Sequence, residues 1–221
     1  MINILYQDNH LLVVEKEVGI LSQSDGSNTK DMLTILKDYL KKEYHKPGNV
    51  YLGLVHRLDK PVGGIMVFAK TSKAAKRLSE QIRNHEFEKS YLAVVKGKLS
   101  SAGTYEDYLV KKDFHSYITD KDHGKLARLK YKVIKKENDR TLVKIELETG
   151  RYHQIRVQFA SRNYPLLGDE KYGKKGKYPI ALYAYQLSFL HPISKERLVF
   201  KLLPKEGYFK KFYDECSYHE L

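Results

Sequence analysis

The sequence predicts an α+β fold, in which a large, mainly antiparallel or mixed sheet carries flanking helices and a central cleft. Three observations predict it. Short runs rich in β-branched and aromatic residues, bounded by Gly, Pro, Asn or Asp, recur along the chain, as at 10–15, 88–97 and 104–110. Two apolar stripes of helical period lie among them, at 31–45 and 72–84. Two further strand patterns, 126–136 and 141–148, are joined by Asn138-Asp139-Arg140, a hairpin signature that makes neighbouring strands antiparallel.

In chain order, residues 2–6 and 10–15 read as strands around a Gln7-Asp8-Asn9 turn, followed by a turn at Val18-Gly19. The first helix, Asp31 to about His45, carries Leu33, Leu36, Leu40 and Tyr44 at helical spacing and ends before Pro47-Gly48. Runs 51–56 and 65–70 read as buried strands, and Ser72 as the N-cap of a helix reaching about Asn84 through Ala75, Leu78 and Ile82. Both helical stripes are expected to face the core. The polar, mixed-charge segment 111–125 reads as a long surface loop, either a mobile insertion or a nucleic-acid-contacting arm. Residues 151–160 are ambiguous: Ile155, Val157 and Phe159 alternate, whereas Tyr152, Ile155 and Phe159 fit a helix. Segments 181–189 and 198–203 read as the last strands, 208–214 as an amphipathic helix, and 217–221 as a fraying end. With no repeat or low-complexity linker, residues 1–221 are expected to form a single domain, acting as a monomer.

Composition narrows the partners. Forty Lys+Arg against 27 Asp+Glu give a formal charge of +13, which attracts polyanions, and nucleic acid is the expected partner. No segment is a concentrated basic amphipath, so a membrane surface is not expected to be one. The single cysteine, Cys216, excludes an intrachain disulfide and a Cys-based zinc site, and the nine histidines show no His-Glu-x-x-His spacing. The amino terminus lacks a basic region followed by an apolar core, and no apolar run approaches the ~18 residues a bilayer span needs. A cytoplasmic location is expected.

Chemistry is expected at Val55-His56-Arg57-Leu58-Asp59-Lys60-Pro61-Val62-Gly63-Gly64, a polar, Pro- and Gly-punctuated segment between two strand patterns. An isolated Asp before a Pro is more often a turn cap. Here His56, Arg57 and Lys60 surround Asp59, and neighbouring cations favour a carboxylate suited to act as nucleophile or base.

This stretch, an apolar strand ending Ala69-Lys70, and four later segments resemble the RluA-type RNA pseudouridine synthases. Glu88-Lys89-Ser90-Tyr91-Leu92-Ala93-Val94-Val95-Lys96-Gly97 is similar to the family's Lys-x-Tyr-x-Ala-x-Val-x-Gly strand, and Thr149-Gly150-Arg151-Tyr152-His153-Gln154-Ile155-Arg156 to its Thr-Gly-Arg-x-His-Gln-Ile-Arg motif. Pro165–Gly173 and Leu190-His191-Pro192 resemble later motifs. Val62-Gly63 stands where the family commonly has Thr-Ser, and Glu17 where a Lys-Pro-x-Gly opening has its proline, which should leave that turn less rigid.

The resemblance implies a pseudouridine synthase-like fold, a helix at 151–160, and three catalytic residues: Asp59, a base-stacking Tyr91, and Arg156 paired with the aspartate. His56, Arg57, Lys60, Arg151, His153 and Gln154 are the expected RNA contacts. The implied reaction breaks the bond from ribose to uracil N1, rotates the base and re-bonds it through C5, on a nucleotide flipped out of structured ribosomal or transfer RNA. No electrons are exchanged and the substrate carries its own leaving group, so no metal or organic cofactor is expected. The family's S4-type RNA-binding domain would precede the first strand, which here begins almost at Met1, so recognition is expected to fall to the catalytic domain itself.

Two lookalikes are rejected. Gly168–Lys174 has P-loop spacing, but Lys175 replaces the Ser or Thr that would bind magnesium. His56-Arg57-Leu58-Asp59 resembles a kinase catalytic loop without the preceding glycine-rich loop. The rival from another class is a non-catalytic RNA-binding or ribosome-assembly module using the same basic surface.

Overall fold

A computed structural model describes residues 2–213 and has the expected α+β architecture, with eleven strands and four helices among those residues. The calls on residues 214–221, including Cys216 and the fraying end, fall outside the described range. The chain divides into two compact units, residues 1–88 with 186–202 and residues 89–185 with 203–221.

In the first unit, β1 (Ile4–Gln7), β2 (Leu11–Lys16) and β4 (Gly63–Ala69) pair antiparallel in that order, with the short β3 (Gly53–Leu54) also on β4. The second half of β10 (Leu182–Leu190) joins them and pairs antiparallel with β11 (Arg197–Lys201). β2 and β4 are apolar and buried along almost their whole length because α1 (Met32–Glu43) and α2 (Ser72–Arg83) accompany a sheet covered on both faces. Val13, Ile65, Val67, Leu78, Phe87 and Phe189 are the centre of that unit's core. A polar tie closes its far end: His191 Nδ1 accepts the Ser194 amide at 3.0 Å, which leaves Nε2–H for Asp8 Oδ2 at 2.8 Å.

Two expectations for this unit need correction. The strand expected at 51–56 shrinks to two residues, because His56 Nε2 takes the Val67 amide at 3.1 Å where a ladder carbonyl would otherwise stand. The second helix is capped by Thr71, not Ser72: Thr71 has extended backbone angles and its hydroxyl accepts from the Ala74 amide at 3.1 Å.

In the second unit, β5 (Glu88–Lys96), β9 (Arg140–Leu147), β8 (Lys125–Glu137), β6 (Ala102–Lys112) and β7 (His115–Thr119) lie side by side in that order, each pair antiparallel, with the first half of β10 beside β5. The β8–β9 hairpin turns where expected, with Asn138 in the left-handed region at φ 51°. The segment expected as a long loop instead forms the β6–β7 hairpin and the turn that leads into β8. Asp113 adopts φ 51°, so β6 reverses into β7 with Lys112 opposite His115, and Asp120 Oδ1 ties the next turn by accepting the amides of Asp122 and His123.

The ambiguous segment is a helix, α3, but it spans only Gln154–Ala160. Phe159 packs edge-on against Tyr105 and Tyr131, and Arg162, one turn on, holds Asp107 through both Nη atoms at 2.9 and 3.0 Å. These contacts fasten α3 to β6 and β8. The described residues end in a 3-10 turn (Gly207–Phe209) and α4 (Lys210–Tyr213), which begins later than the expected amphipathic helix.

Candidate active site

Asp59 belongs to the first unit, on the loop between β3 and β4, and the residues on either side of it are tied to the segment that follows β2. The Ser22 hydroxyl accepts the Leu58 amide at 3.0 Å and donates to the Leu58 carbonyl at 2.7 Å. On the other side, the Lys60 carbonyl accepts the Gly19 amide at 2.8 Å and Lys16 Nζ at 3.2 Å. Within the loop, the Val62 amide closes a turn on the Asp59 carbonyl at 3.0 Å. Gly19 stands at φ 89°, which a side-chain-bearing residue adopts at a cost, so glycine suits the turn that brings its amide to Lys60.

The turn expected to be loosened by Glu17 is held by a side chain instead: Lys16 Nζ also donates to the carbonyls of Glu17 at 3.0 Å and Ile20 at 2.6 Å. Arg57 and Lys60 are exposed, whereas His56 is half-buried, with Nε2 engaged by Val67 and its ring 5.6 Å from that of Phe87.

The remaining sequence-predicted residues belong to the second unit. Tyr91 is buried in β5, opposite Ile145. Arg156 is buried on α3, and a carboxylate from beyond the helix grips it: Nε donates to Asp169 Oδ2 at 2.9 Å and Nη2 to Oδ1 at 2.7 Å. Asp169 is fully buried and its Oδ1 also accepts the amides of Lys171 and Tyr172 at 3.0 and 3.3 Å. One carboxylate thus folds the 168–173 turn and orients the guanidinium. Gly168 at φ 74° makes the turn possible, since a Cβ there would lie 2.6 Å from the Tyr178 carbonyl. The supposed P-loop lookalike is therefore an arginine-holding turn.

The start of α3 is built from polar side chains turned inward. Gln154 Oε1 accepts from the Thr149 hydroxyl at 2.7 Å and the Arg151 amide at 3.0 Å, while Nε2 donates to the Arg128 carbonyl at 3.1 Å. His153 takes the left-handed conformation at φ 52°, stacks on Tyr152 at 3.8 Å and lies with Nδ1 2.9 Å from Tyr172 Oη. Burial, with the Arg156 and Lys171 charges adding, lowers its pKa to about 3, so the imidazole is neutral at physiological pH. Arg151 is exposed, its Nε donating to the Leu126 carbonyl at 2.8 Å. Of the expected RNA contacts, Arg57, Lys60 and Arg151 are on the surface, whereas His153 and Gln154 are interior. Sequence reading gave Lys16, Ser22 and Asp169 no role in the site; their only signals were the position of Lys16 at a strand end and that of Asp169 inside a recognised motif.

The family model described as RNA pseudouridylate synthase matches residues 10–161, more than half of the chain. The chain belongs to the RNA pseudouridylate synthase family. A relative from Aquifex aeolicus, named as an uncharacterized RNA pseudouridine synthase, is 35% identical over 99% of this chain and 74% of its own length. The ribosomal large subunit pseudouridine synthases D of Nitrosomonas europaea and Xanthomonas campestris are each 34% identical, over 90% and 88% of this chain, which spans 61% and 63% of their lengths. Among solved structures, Human RNA Pseudouridylate Synthase Domain Containing 4 superposes with a TM-score of 0.78 at 24% identity, covering 92% of this chain and 89% of that one, which supports the fold.

The synthase family assignment agrees with the resemblance carried by Asp59, Tyr91 and Arg156, and makes the chain an RNA-modifying isomerase by class. Among the described residues, no helix is long and apolar enough to cross a membrane and no group of three or more His, Cys, Asp or Glu is arranged to hold a metal.

Proposed function

We propose that this chain converts a specific uridine of structured ribosomal or transfer RNA to pseudouridine, working as a monomer in the cytoplasm. The observation that carries the reading is the family match across residues 10–161, which includes an Asp59 whose two neighbouring residues are pinned by side chains some 40 positions earlier. A turn-capping aspartate needs no such support, whereas a reacting carboxylate does, because small displacements of a catalytic group cost large factors in rate.

In this reading Asp59 acts on the flipped uridine, Tyr91 stacks on its base, and Arg156 supplies the fixed positive charge for the carboxylate. The Nε–Nη2 edge of Arg156 is engaged by Asp169, which fixes the plane of the guanidinium. Arg57, Lys60 and Arg151 are assigned to phosphates, while His56, His153 and Gln154 hold the segments carrying Asp59 and Arg156. The isomerisation breaks the bond from C1′ to N1, forms the bond from C1′ to C5, and transfers the C5 proton to solvent while N1 gains one, so atoms and electrons balance without a cofactor. The names of the Nitrosomonas and Xanthomonas relatives make large-subunit ribosomal RNA the first substrate to test.

The test is release of tritium from RNA labelled at uracil C5. Release that persists in EDTA with the RNA still folded is expected; RNA binding with no release would favour the non-catalytic module. RNA affinity should also fall with salt, by a log-log slope of about −0.7 to −0.9 for each phosphate contact. Titration across 50–200 mM salt checks this, and a slope near zero removes the basic surface from docking.

A further inference from the structure

We propose that Tyr152 is a stacking platform for an RNA base other than the one being isomerised, and that Lys111 moves from the face of that ring to a neighbouring phosphate when RNA binds. The inference rests on the reading that the chain acts on RNA.

The register of β6 leads to this pair. Alternate residues of a strand share a face, and on the face of β6 that meets α3 the row runs Tyr105, Asp107, Leu109, Lys111. Tyr105 packs edge-on against Phe159, Asp107 Oδ2 accepts from Gln158 Nε2 at 2.7 Å, and Leu109 is buried with Val157. The row thus leaves the core step by step, and its last member is an exposed lysine whose Nζ lies 4.7 Å from the centre of the Tyr152 ring.

The ring beneath that ammonium is held in place. It stacks on His153 with centroids 3.8 Å apart and planes 26° from parallel. His153 is itself buried, with Nδ1 2.9 Å from Tyr172 Oη, and that Oη accepts the Ser116 amide at 2.7 Å. The Ser116 hydroxyl in turn donates to the Tyr152 carbonyl at 2.5 Å. Ring and backbone are therefore fixed from β7, from α3 and from the 168–173 turn, so a base that stacks there loses little to ordering the protein.

Lys111 is a cover that RNA can displace. An ammonium resting over an exposed aromatic face is a weaker contact than a stacked base. Among the described residues no carboxylate is paired with Lys111, whereas Arg128 and Lys130 on the neighbouring β8 are engaged by Glu106 and Glu148. Once lifted from the ring, the Lys111 ammonium can therefore take a phosphate, and the exposed Arg151, next to Tyr152 in the chain, supplies a second cation. An aromatic face flanked by cations suits single-stranded RNA, whose bases stack while its phosphates are neutralised. A tyrosine placed only for packing would be covered on this face by an apolar side chain.

The experiment is filter binding of an oligouridylate dodecamer and of an abasic ribose-phosphate dodecamer, which keeps the charge and lacks the bases, to wild type, Tyr152→Ala, Tyr152→Leu, Tyr152→Phe and Lys111→Gln. Tyr152→Ala and Tyr152→Leu, folded by circular dichroism, are expected to weaken oligouridylate by about five-fold or more and the abasic chain by less than about two-fold, while Tyr152→Phe stays within about two-fold of wild type on both. Lys111→Gln should weaken both oligomers and lower the log-log salt slope by about 0.7 on each. A folded Tyr152→Ala or Tyr152→Leu with wild-type affinity for oligouridylate, or with both oligomers weakened alike, overturns the proposal, as does an unchanged slope in Lys111→Gln. Should neither Tyr152 variant fold, Tyr91→Ala decides: a preference for oligouridylate over the abasic chain that survives in it supports the proposal, and equal affinity overturns it. Wild type that binds neither oligomer nor large-subunit ribosomal RNA would instead overturn the underlying RNA reading.

Discussion

Turnover falls by at least about 10³-fold, or ~4 kcal/mol of transition-state stabilisation, when Asp59 is replaced by Asn, while RNA affinity stays within a few-fold. The amide keeps the shape of the carboxylate and removes its charge. The bonds that hold the loop run through the Leu58 backbone to Ser22 and through the Lys60 carbonyl to Gly19 and Lys16, so they do not depend on the Asp59 side chain. Loss of rate without loss of fold or affinity therefore reports chemistry. Single-turnover assays with circular dichroism and filter binding on the same preparations check it, and wild-type turnover in the variant rejects Asp59 as the reacting group.

The second large effect is on stability. Asp169→Ala strips the carboxylate from a buried guanidinium and from the Lys171 and Tyr172 amides, and leaving one member of a buried ion pair uncompensated costs about 3–5 kcal/mol. Against a total of roughly 5–15 kcal/mol, that is a large share of what holds a domain folded, and the thermal midpoint should fall by ~6–20 °C. Arg156→Lys keeps the charge but an ammonium cannot span both carboxylate oxygens, so a smaller loss of stability is expected together with an about ten-fold loss of turnover. Denaturant unfolding of the single and double variants measures the coupling. An Asp169→Ala protein within ~1 kcal/mol of wild type would show that the pair does not support α3.

What could be read in advance follows the range of the interactions involved. Periodicity and turn residues placed α1, α2, most strands and the β8–β9 hairpin, because these depend on neighbours a few residues apart, whereas the helix at α3 came from the family resemblance. The motif containing Asp59 was visible for the same reason. The partners of that motif were not: Lys16 at a strand end and Ser22 in a loop look like any solvated lysine and serine until the fold sets them beside Lys60 and Leu58. Asp169 is likewise an ordinary turn aspartate until Arg156 is placed on it. The β6–β7 reversal escaped because it uses Asp113 at positive φ where a glycine would have signalled the turn. His153 and Gln154, expected as RNA contacts, are interior because the short α3 begins with a left-handed residue and must satisfy its entry from side chains.

Nucleotide-resolution mapping of pseudouridine in large-subunit ribosomal RNA and transfer RNA, each transcribed without modifications and incubated with purified wild type or Asp59→Asn, tests the central claim most directly. The account predicts pseudouridine at one or a few defined uridines with wild type, in buffer containing EDTA, and none with Asp59→Asn. RNA that is bound by wild type yet unmodified at every uridine, or modified equally by both proteins, would contradict it.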